Sequence, residues 1–237
     1  MSASLTIRNT KQSDFEGILE LAGRVKPDSP WNQKLLEAHL AVFPEGQFVA
    51  VDQRQAVVGM TANLIILWGD YRFEGNWAEH TGAGLFTCHD AERGRTLYCA
   101  ELLAAPEQIA AGIVAKLCDV RRRLARRRKL LRIRTAVPLC GYAARKDELS
   151  AAAFVESVLR GNIDHAILSL QLRRGLEVVA VLPQYFPVDS SSLGYAALLE
   201  WRNPAWSPDD VGLERAAKGA DYTFRTNIHH IRRSEPE

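Results

Sequence analysis

TLYCAELLAAPEQIAAGIVAKL, residues 96–117, is the stretch whose reading decides the fold of this chain of 237 residues. Its first half reads as a strand: Leu97, Tyr98, Leu102 and Leu103 keep it apolar, and Pro106, which cannot donate to a ladder, ends it. Its second half reads as a helix from about Gln108, because Ile109, Ile113, Val114 and Leu117 fall at helical spacing. A strand that runs through a short loop into a helix leaves unpaired backbone N–H groups aimed at one point. That point is also the positive end of the helix dipole, so it suits a phosphate. Taken alone, the stretch fits an ordinary strand–helix connection better than a ligand site.

Working outward, residues 5–8 read as an opening strand. SDFE, residues 13–16, has the form of a capping box before Ile18, Leu19, Leu21, Ala22 and Val25. A second helix is expected from near Ser29, with Pro30 in its first turn and Trp31, Leu35, Leu36, Leu40 and Phe43 as its apolar stripe. Residues 47–51 and 56–68 read as paired strands about a polar turn. Downstream, a strand follows Arg132. Helices are expected over residues 150–159 and 165–174, and residues 177–182 and 195–200 read as a closing strand pair.

Two stretches stand apart from this pattern. Residues 69–95 form a long polar, Gly-rich excursion carrying Trp77, His80, Thr81 and His89. Such loops on a rigid scaffold either carry function or merely connect. The run RRRLARRRKLLRIR, residues 121–134, reads first as a solvated helix face and a turn. A phosphate-binding patch and a nucleic-acid patch compete with that reading. The run lacks the interleaved aromatics of single-strand binders, which disfavours RNA and DNA.

The element order, together with FPEG (43–46), HTGAG (80–84), CHD (88–90), LSLQLRRG (168–175) and SLGYAALLEW (192–201), resembles the GCN5-related N-acetyltransferase (GNAT) superfamily. More narrowly, it resembles the acetyltransferase-like domain found in bacteria ahead of a carbon–nitrogen hydrolase domain. The resemblance implies an α/β (α+β) GNAT fold, a mixed, mostly antiparallel sheet flanked by helices. It places that domain at residues 1–206, with 207–237 as a tail or short docked segment. It implies acetyl-CoA or another acyl-CoA as co-substrate, its pantetheine along Leu102, Leu103 and Ala104. The pyrophosphate is then expected at Ile109, Ala110, Ala111, Gly112, Ile113 and Val114, with Lys116 nearby. The family's Arg/Gln-x-x-Gly-x-Gly/Ala signature is altered here. Ile109 stands at the Arg or Gln position, and Val114 at the final small position, where its bulk is expected to crowd a phosphate.

Acyl transfer to an amine needs a base for the ammonium, a donor for the oxyanion and a proton for the leaving thiolate. Glu101, on the deciding strand, is the candidate base, with a salt-bridge role as the competing reading. His89, beside Asp90, is a weaker candidate. Many family members place an acidic Tyr on the last core helix, where this chain has Gln171. The acid must then come from elsewhere, from Tyr142, Tyr185 or Tyr195. Trp77, His80, Thr81 and Tyr185 are the candidate walls of the acceptor pocket.

Composition is that of an ordinary globular protein, 47% hydrophobic and 24% charged, with a net charge of +2 that selects no partner. The N-terminus shows no signal-peptide pattern and no apolar run is long enough to span a bilayer, so a cytoplasmic protein without a membrane partner is expected. Cys88, Cys99, Cys118 and Cys140 lack metal-ligand spacing and read as reduced thiols, with no metal site. The expected partner is an amine acceptor, with an acyl carrier protein or a second copy of the chain as further candidates. Three functions remain open: an acyl-CoA-dependent N-acyltransferase, a pseudo-GNAT scaffold module, and a domain acting on a carrier-bound thioester.

Overall fold

The structure, a computed structural model, describes residues 5–27, 31–69, 74–109 and 112–208. Its strands are β1 (Thr6–Asn9), β2 (Phe48–Val51), β3 (Val57–Ile66), β4 (Thr96–Ala104), β5 (Arg132–Pro138), β6 (Glu177–Leu182) and β7 (Ala196–Arg202). Its helices are α1 (Phe15–Val25), α2 (Gln33–Val42), α3 (Trp77–Thr81), α4 (Pro106–Ile109), α5 (Ile113–Arg127), α6 (Ala151–Leu159) and α7 (Ala166–Arg173). The strands form one sheet in the order β1-β2-β3-β4-β5-β7-β6. Every neighbouring pair is antiparallel except β4 with β5. This is the mixed, mostly antiparallel sheet that the sequence leads one to expect.

Both faces of the sheet are covered, so the central strands are apolar on both sides rather than alternating with polar residues. In β2, Val49 and Val51 pack with Phe15 and Ile18 of α1, while Ala50 turns the other way onto Ile113 and Val114 of α5. The inner face of α5 also buries Leu117 and Leu124 completely. Each such side chain contributes about 1.5–3 kcal/mol relative to exposure. Helix and sheet approach closely at Gly59, where a Cβ would lie 2.7 Å from Ile113 Cδ1.

Between β3 and β4, Asn63 opposes Cys99 while Ala62 opposes Glu101, so Ala100 is an extra, bulged residue. β4 pairs with β5 only from Thr96 to Cys99. A bulge bends and twists its strand, and here the separation begins where the bulge sits. Beyond Cys99 the two strands part, and the edge of β4 that faces β5 has no ladder partner among the described residues.

Several local expectations are corrected. The cap of α1 is not Ser13 with Glu16. A 3-10 turn, Gln12–Asp14, precedes the helix, and buried Asp14 accepts the Lys11 amide and a two-pronged bond from Arg8 at 2.7 Å. Arg8 holds the Asp14 carboxyl below its usual range. The second helix begins at Gln33, capped by Asn32 accepting from the Leu35 amide, and Trp31 precedes it; Ser29 and Pro30 lie outside the described residues. Where one helix is expected from Gln108, α4 ends at Ile109 and α5 starts at Ile113, with Gly112 as its N-cap at a φ of 78°. The expected tail, past Pro208, lies outside the described residues.

The basic run divides: Arg123, Arg126, Arg127, Arg128 and Lys129 form the expected exposed helix face and turn, while Arg121, Arg132 and Arg134 are buried in the fold. Arg132 and Arg134 are buried against the Glu200 carboxylate of β7, and Arg134 also lies over the Trp68 ring. Arg121 is buried beside Cys118. Arg122 and Arg126 lie over Trp201, and Arg127 and Arg128 pair with Glu45.

Candidate active site

The parting of β4 and β5 opens a cleft of about 380 Å³. One wall is β4 from Cys99 to Leu103 and the other is β5 from Thr135 to Pro138. Lys26 at the end of α1, His165 and Gln171 around α7, and Phe186 and Asp189 in the loop before β7 complete its rim and floor.

Glu101 lies on this wall with its side chain 12% exposed. Its Oε2 accepts from Lys26 Nζ at 3.0 Å and from the indole N–H of Trp31 at 3.1 Å. Its Oε1 accepts the Leu102 amide at 3.1 Å. The Lys26 ammonium also sits 5.6 Å from the centre of the Phe186 ring, within cation–π range. The Glu101 charge raises the Lys26 pKa above its ordinary value. The site is therefore a carboxylate and an aromatic ring arranged around one primary ammonium. The expected salt-bridge role of Glu101 is present, and it coexists with a position in the cleft.

Behind β4, the indole N–H of Trp77 donates to the carbonyl of the bulged Ala100 at 2.9 Å. Trp77 thus braces the wall of the cleft from the α3 side. His80 Nδ1 lies 3.0 Å from Tyr185 Oη, which is 2.6 Å from Tyr98 Oη. Burial lowers the His80 pKa and raises those of both tyrosines, so all three stay uncharged near neutrality. Thr81 is wholly buried, accepting the Gly84 amide and donating to the Trp77 carbonyl. His89 Nδ1 accepts the Ile65 amide at 3.1 Å, and the ring packs on Phe43. That places His89 at the paired end of β4, since Ile65 opposes Leu97. The loop residues therefore assemble behind and beside the sheet, and His80, Thr81 and His89 are not among the residues lining the cleft.

Tyr142 packs edge-on against Phe154 and Tyr195. Like Tyr185, neither lines the cleft. Gln171 does line it, 1% exposed, with its side-chain amide oxygen lacking a hydrogen-bond partner among the described residues. His165 caps α7: Nδ1 accepts the Leu168 amide and Nε2–H donates to the Pro138 carbonyl, which fixes the neutral tautomer. Burial lowers its pKa in the same sense.

Leu102 and Leu103 line the cleft, and Ala104 continues the same strand. At the start of α5, the first amides have no partner within the helix, and a Cβ on Gly112 would meet none of the described residues within 4 Å, its chain neighbours aside. Val114 does not crowd this opening: its side chain is fully buried among Ala50, Val58 and Leu117, as is that of Ile113. That corrects the expectation of a phosphate site filled by valine. Lys116 is exposed one turn into the helix. Ala110 and Ala111, with the side chain of Ile109, lie outside the described residues. The arginines at the far end of α5 are out of reach, since Arg127 is about 21 Å along the axis from Ile113.

Sequence reasoning missed Lys26, Trp31 and Phe186. No local signal marks them, because Lys26 and Trp31 meet Glu101 from 75 and 70 residues away. Among the described residues no cluster of His, Cys, Asp and Glu could hold a metal, and no helix is long and apolar enough to cross a membrane.

No family model matches the chain. It is 30% identical over 205 residues to the uncharacterized N-acetyltransferase YkwB of Bacillus subtilis (strain 168), covering 84% of this chain and 89% of that protein. It is 32% identical over 208 residues to the probable hydrolase YhcX of the same organism. That match covers 87% of this chain, which spans 40% of the relative's length. Among solved structures, the GNAT-like decarboxylase GphF in complex with isobutyryl-CoA superposes with a TM-score of 0.63 at 19% identity, over 84% of this chain and 99% of that one. With the sheet, the parted strands and the match to YkwB in hand, the chain belongs to the GCN5-related N-acetyltransferase superfamily.

Proposed function

We propose that the chain transfers an acyl group, acetyl first among the candidates, from acyl-CoA to a primary amine. The observation that carries this reading is the ammonium of Lys26 held on Glu101 inside the cleft. A site that seats one primary ammonium against a carboxylate and an aromatic ring has the chemistry to seat another. The free edge of β4 offers backbone groups to a pantetheine arm, and the open amides at the start of α5 suit its phosphates. The GphF complex holds an acyl-CoA on the same fold, which supports the choice of donor. In this reading Glu101 takes the proton from the acceptor ammonium, and the Trp31 indole fixes the carboxylate's orientation.

A second reading, transfer from a carrier-bound thioester, rests on a separate observation. Among the described residues of the first turn of α5, Lys116 is the one cation, so little charge is offered to a nucleotide's phosphates. The test is thiol release with acetyl-CoA or acetyl-pantetheine as donor and a panel of primary amines as acceptors. Amine-dependent release favouring acetyl-CoA supports the first reading. Equal use of both donors supports the second, and no amine-dependent release from either overturns the assignment.

A further inference from the structure

We infer that Lys26 is itself an acyl acceptor: the chain acylates its own Lys26 from the thioester bound in the cleft. This inference rests on the reading of the cleft as an acyl-thioester site. It goes beyond that reading by naming an acceptor and a modification site within the chain.

The placement of Lys26 carries the argument. It is the residue after α1, where its amide closes the helix on the Ala22 carbonyl at 2.8 Å. Its side chain extends from there into the cleft between β4 and β5, which is not where a half-exposed lysine beside a helix end needs to go. The ammonium reaches Glu101 Oε2 at 3.0 Å and the Phe186 ring at 5.6 Å. Both partners line the cleft with it. Glu101 is held for its task by Trp31 and the Leu102 amide rather than by Lys26 alone. An amine tethered at this point meets a bound thioester as an intramolecular reactant, which removes the entropic cost of bringing acceptor and donor together.

The step balances as follows. The Glu101 carboxylate takes one proton from the Lys26 ammonium. The freed nitrogen lone pair attacks the thioester carbonyl carbon, so a C–N bond forms and the C–S bond breaks. The thiolate leaves and takes up the proton held by Glu101, and the second nitrogen proton goes to solvent. The products are a neutral acyl-lysine, a free thiol and one proton. No oxidant or other co-reactant is needed. The acylated side chain no longer neutralises Glu101, so the carboxylate is released to an external amine.

The test uses the whole purified chain with acetyl-CoA, following acetylation of each lysine by peptide mass spectrometry. Exposed Lys11 and Lys34 report uncatalysed labelling. Lys26 is expected to label faster than either, at a rate independent of protein concentration. Glu101→Gln is expected to slow Lys26 labelling roughly 10²- to 10⁴-fold, while Lys11 and Lys34 are unchanged in the same sample. Calorimetry with acetyl-CoA separates the two levels of the account. If acetyl-CoA binds and Lys26 labels no faster than Lys34, self-acylation is overturned and the donor site stands. If acetyl-CoA does not bind, the reading of the cleft falls, and self-acylation from acyl-CoA with it. The comparison within the wild-type protein needs no variant to fold.

Discussion

The indole N–H of Trp77 donates to the carbonyl of Ala100 at 2.9 Å, and Ala100 is the bulged residue at which β4 leaves β5. A residue in a loop excursion thus braces the point where the cleft opens. Without the indole donor, the Ala100 carbonyl is left without this bond beneath a packed ring, and the bulge has less to hold its geometry.

Trp77→Phe removes the donor and keeps most of the apolar contact. Leaving a buried acceptor unsatisfied costs about 1–3 kcal/mol. The variant should unfold at correspondingly lower denaturant, and kcat/KM for acyl transfer should fall. Wild-type stability and wild-type kinetics together would remove Trp77 from any supporting role.

Glu200 holds two buried guanidinium groups. Arg134 Nε lies 2.8 Å from Oε2 and Arg132 Nη1 lies 3.7 Å from it, with Arg202 on the other oxygen. Glu200→Gln keeps the shape and removes the carboxylate charge that Arg132 and Arg134 share. Breaking a buried pair in this way costs about 3–5 kcal/mol, to be read from equilibrium denaturation. A change within a few tenths of a kcal/mol would show that the arginines are neutralised elsewhere.

Val114→Gly separates core from site. With Val114 buried, the change should destabilise the chain by about 2–4 kcal/mol through lost burial and the helix cost of glycine. It should leave acetyl-CoA affinity unchanged wherever the protein remains folded. Tighter binding measured by calorimetry would restore the view that Val114 obstructs a phosphate.

His39 is buried, lies 2.7 Å from the Gly84 carbonyl through Nε2 and stacks on Phe86. Burial draws its pKa down from 6.5 to about 4. Between those values the unfolded chain binds a proton that the folded chain refuses. Stability therefore falls as pH is lowered from 6.5 to 4, and this group has no effect above that window. The loss attributable to His39 is about 3 kcal/mol. Half-buried His80 and His89 and buried His165 act in the same direction. Denaturation at pH 7.5 and 4.5 should show a smaller drop for His39→Gln than for wild type, and an equal drop would contradict this account.

The sequence made the β4–α5 succession legible because its signal is local: an apolar run, a proline and a helical spacing within 22 residues. The start of α5 was not legible. Residues 106–109 are helical, and Gly112, with its positive φ, caps a separate helix from Ile113. The basic run was legible in part: residues 123 and 126–129 are the exposed helix face and turn, and the strand end departs from that reading. Arg132 and Arg134 alternate with Ile133 as in a strand with one wet face, but both faces of this sheet are covered, and their counter-charge lies on a strand 66 residues on from Arg134. Glu101 stood out because a carboxylate is costly in an apolar strand. Lys26, which completes its surroundings, carries no mark in the sequence other than proximity to a helix end.

The central claim is that an acyl-CoA donor occupies the gap between β4 and β5. Amide hydrogen exchange with and without acetyl-CoA tests it most directly, because among the described residues the edge of β4 beyond Cys99 has no ladder partner on the β5 side. Addition of acetyl-CoA should slow exchange in residues 101–104 and in the first turn of α5, residues 113–116. Unchanged exchange in both segments under saturating acetyl-CoA, or protection confined to another part of the sheet, would contradict the account.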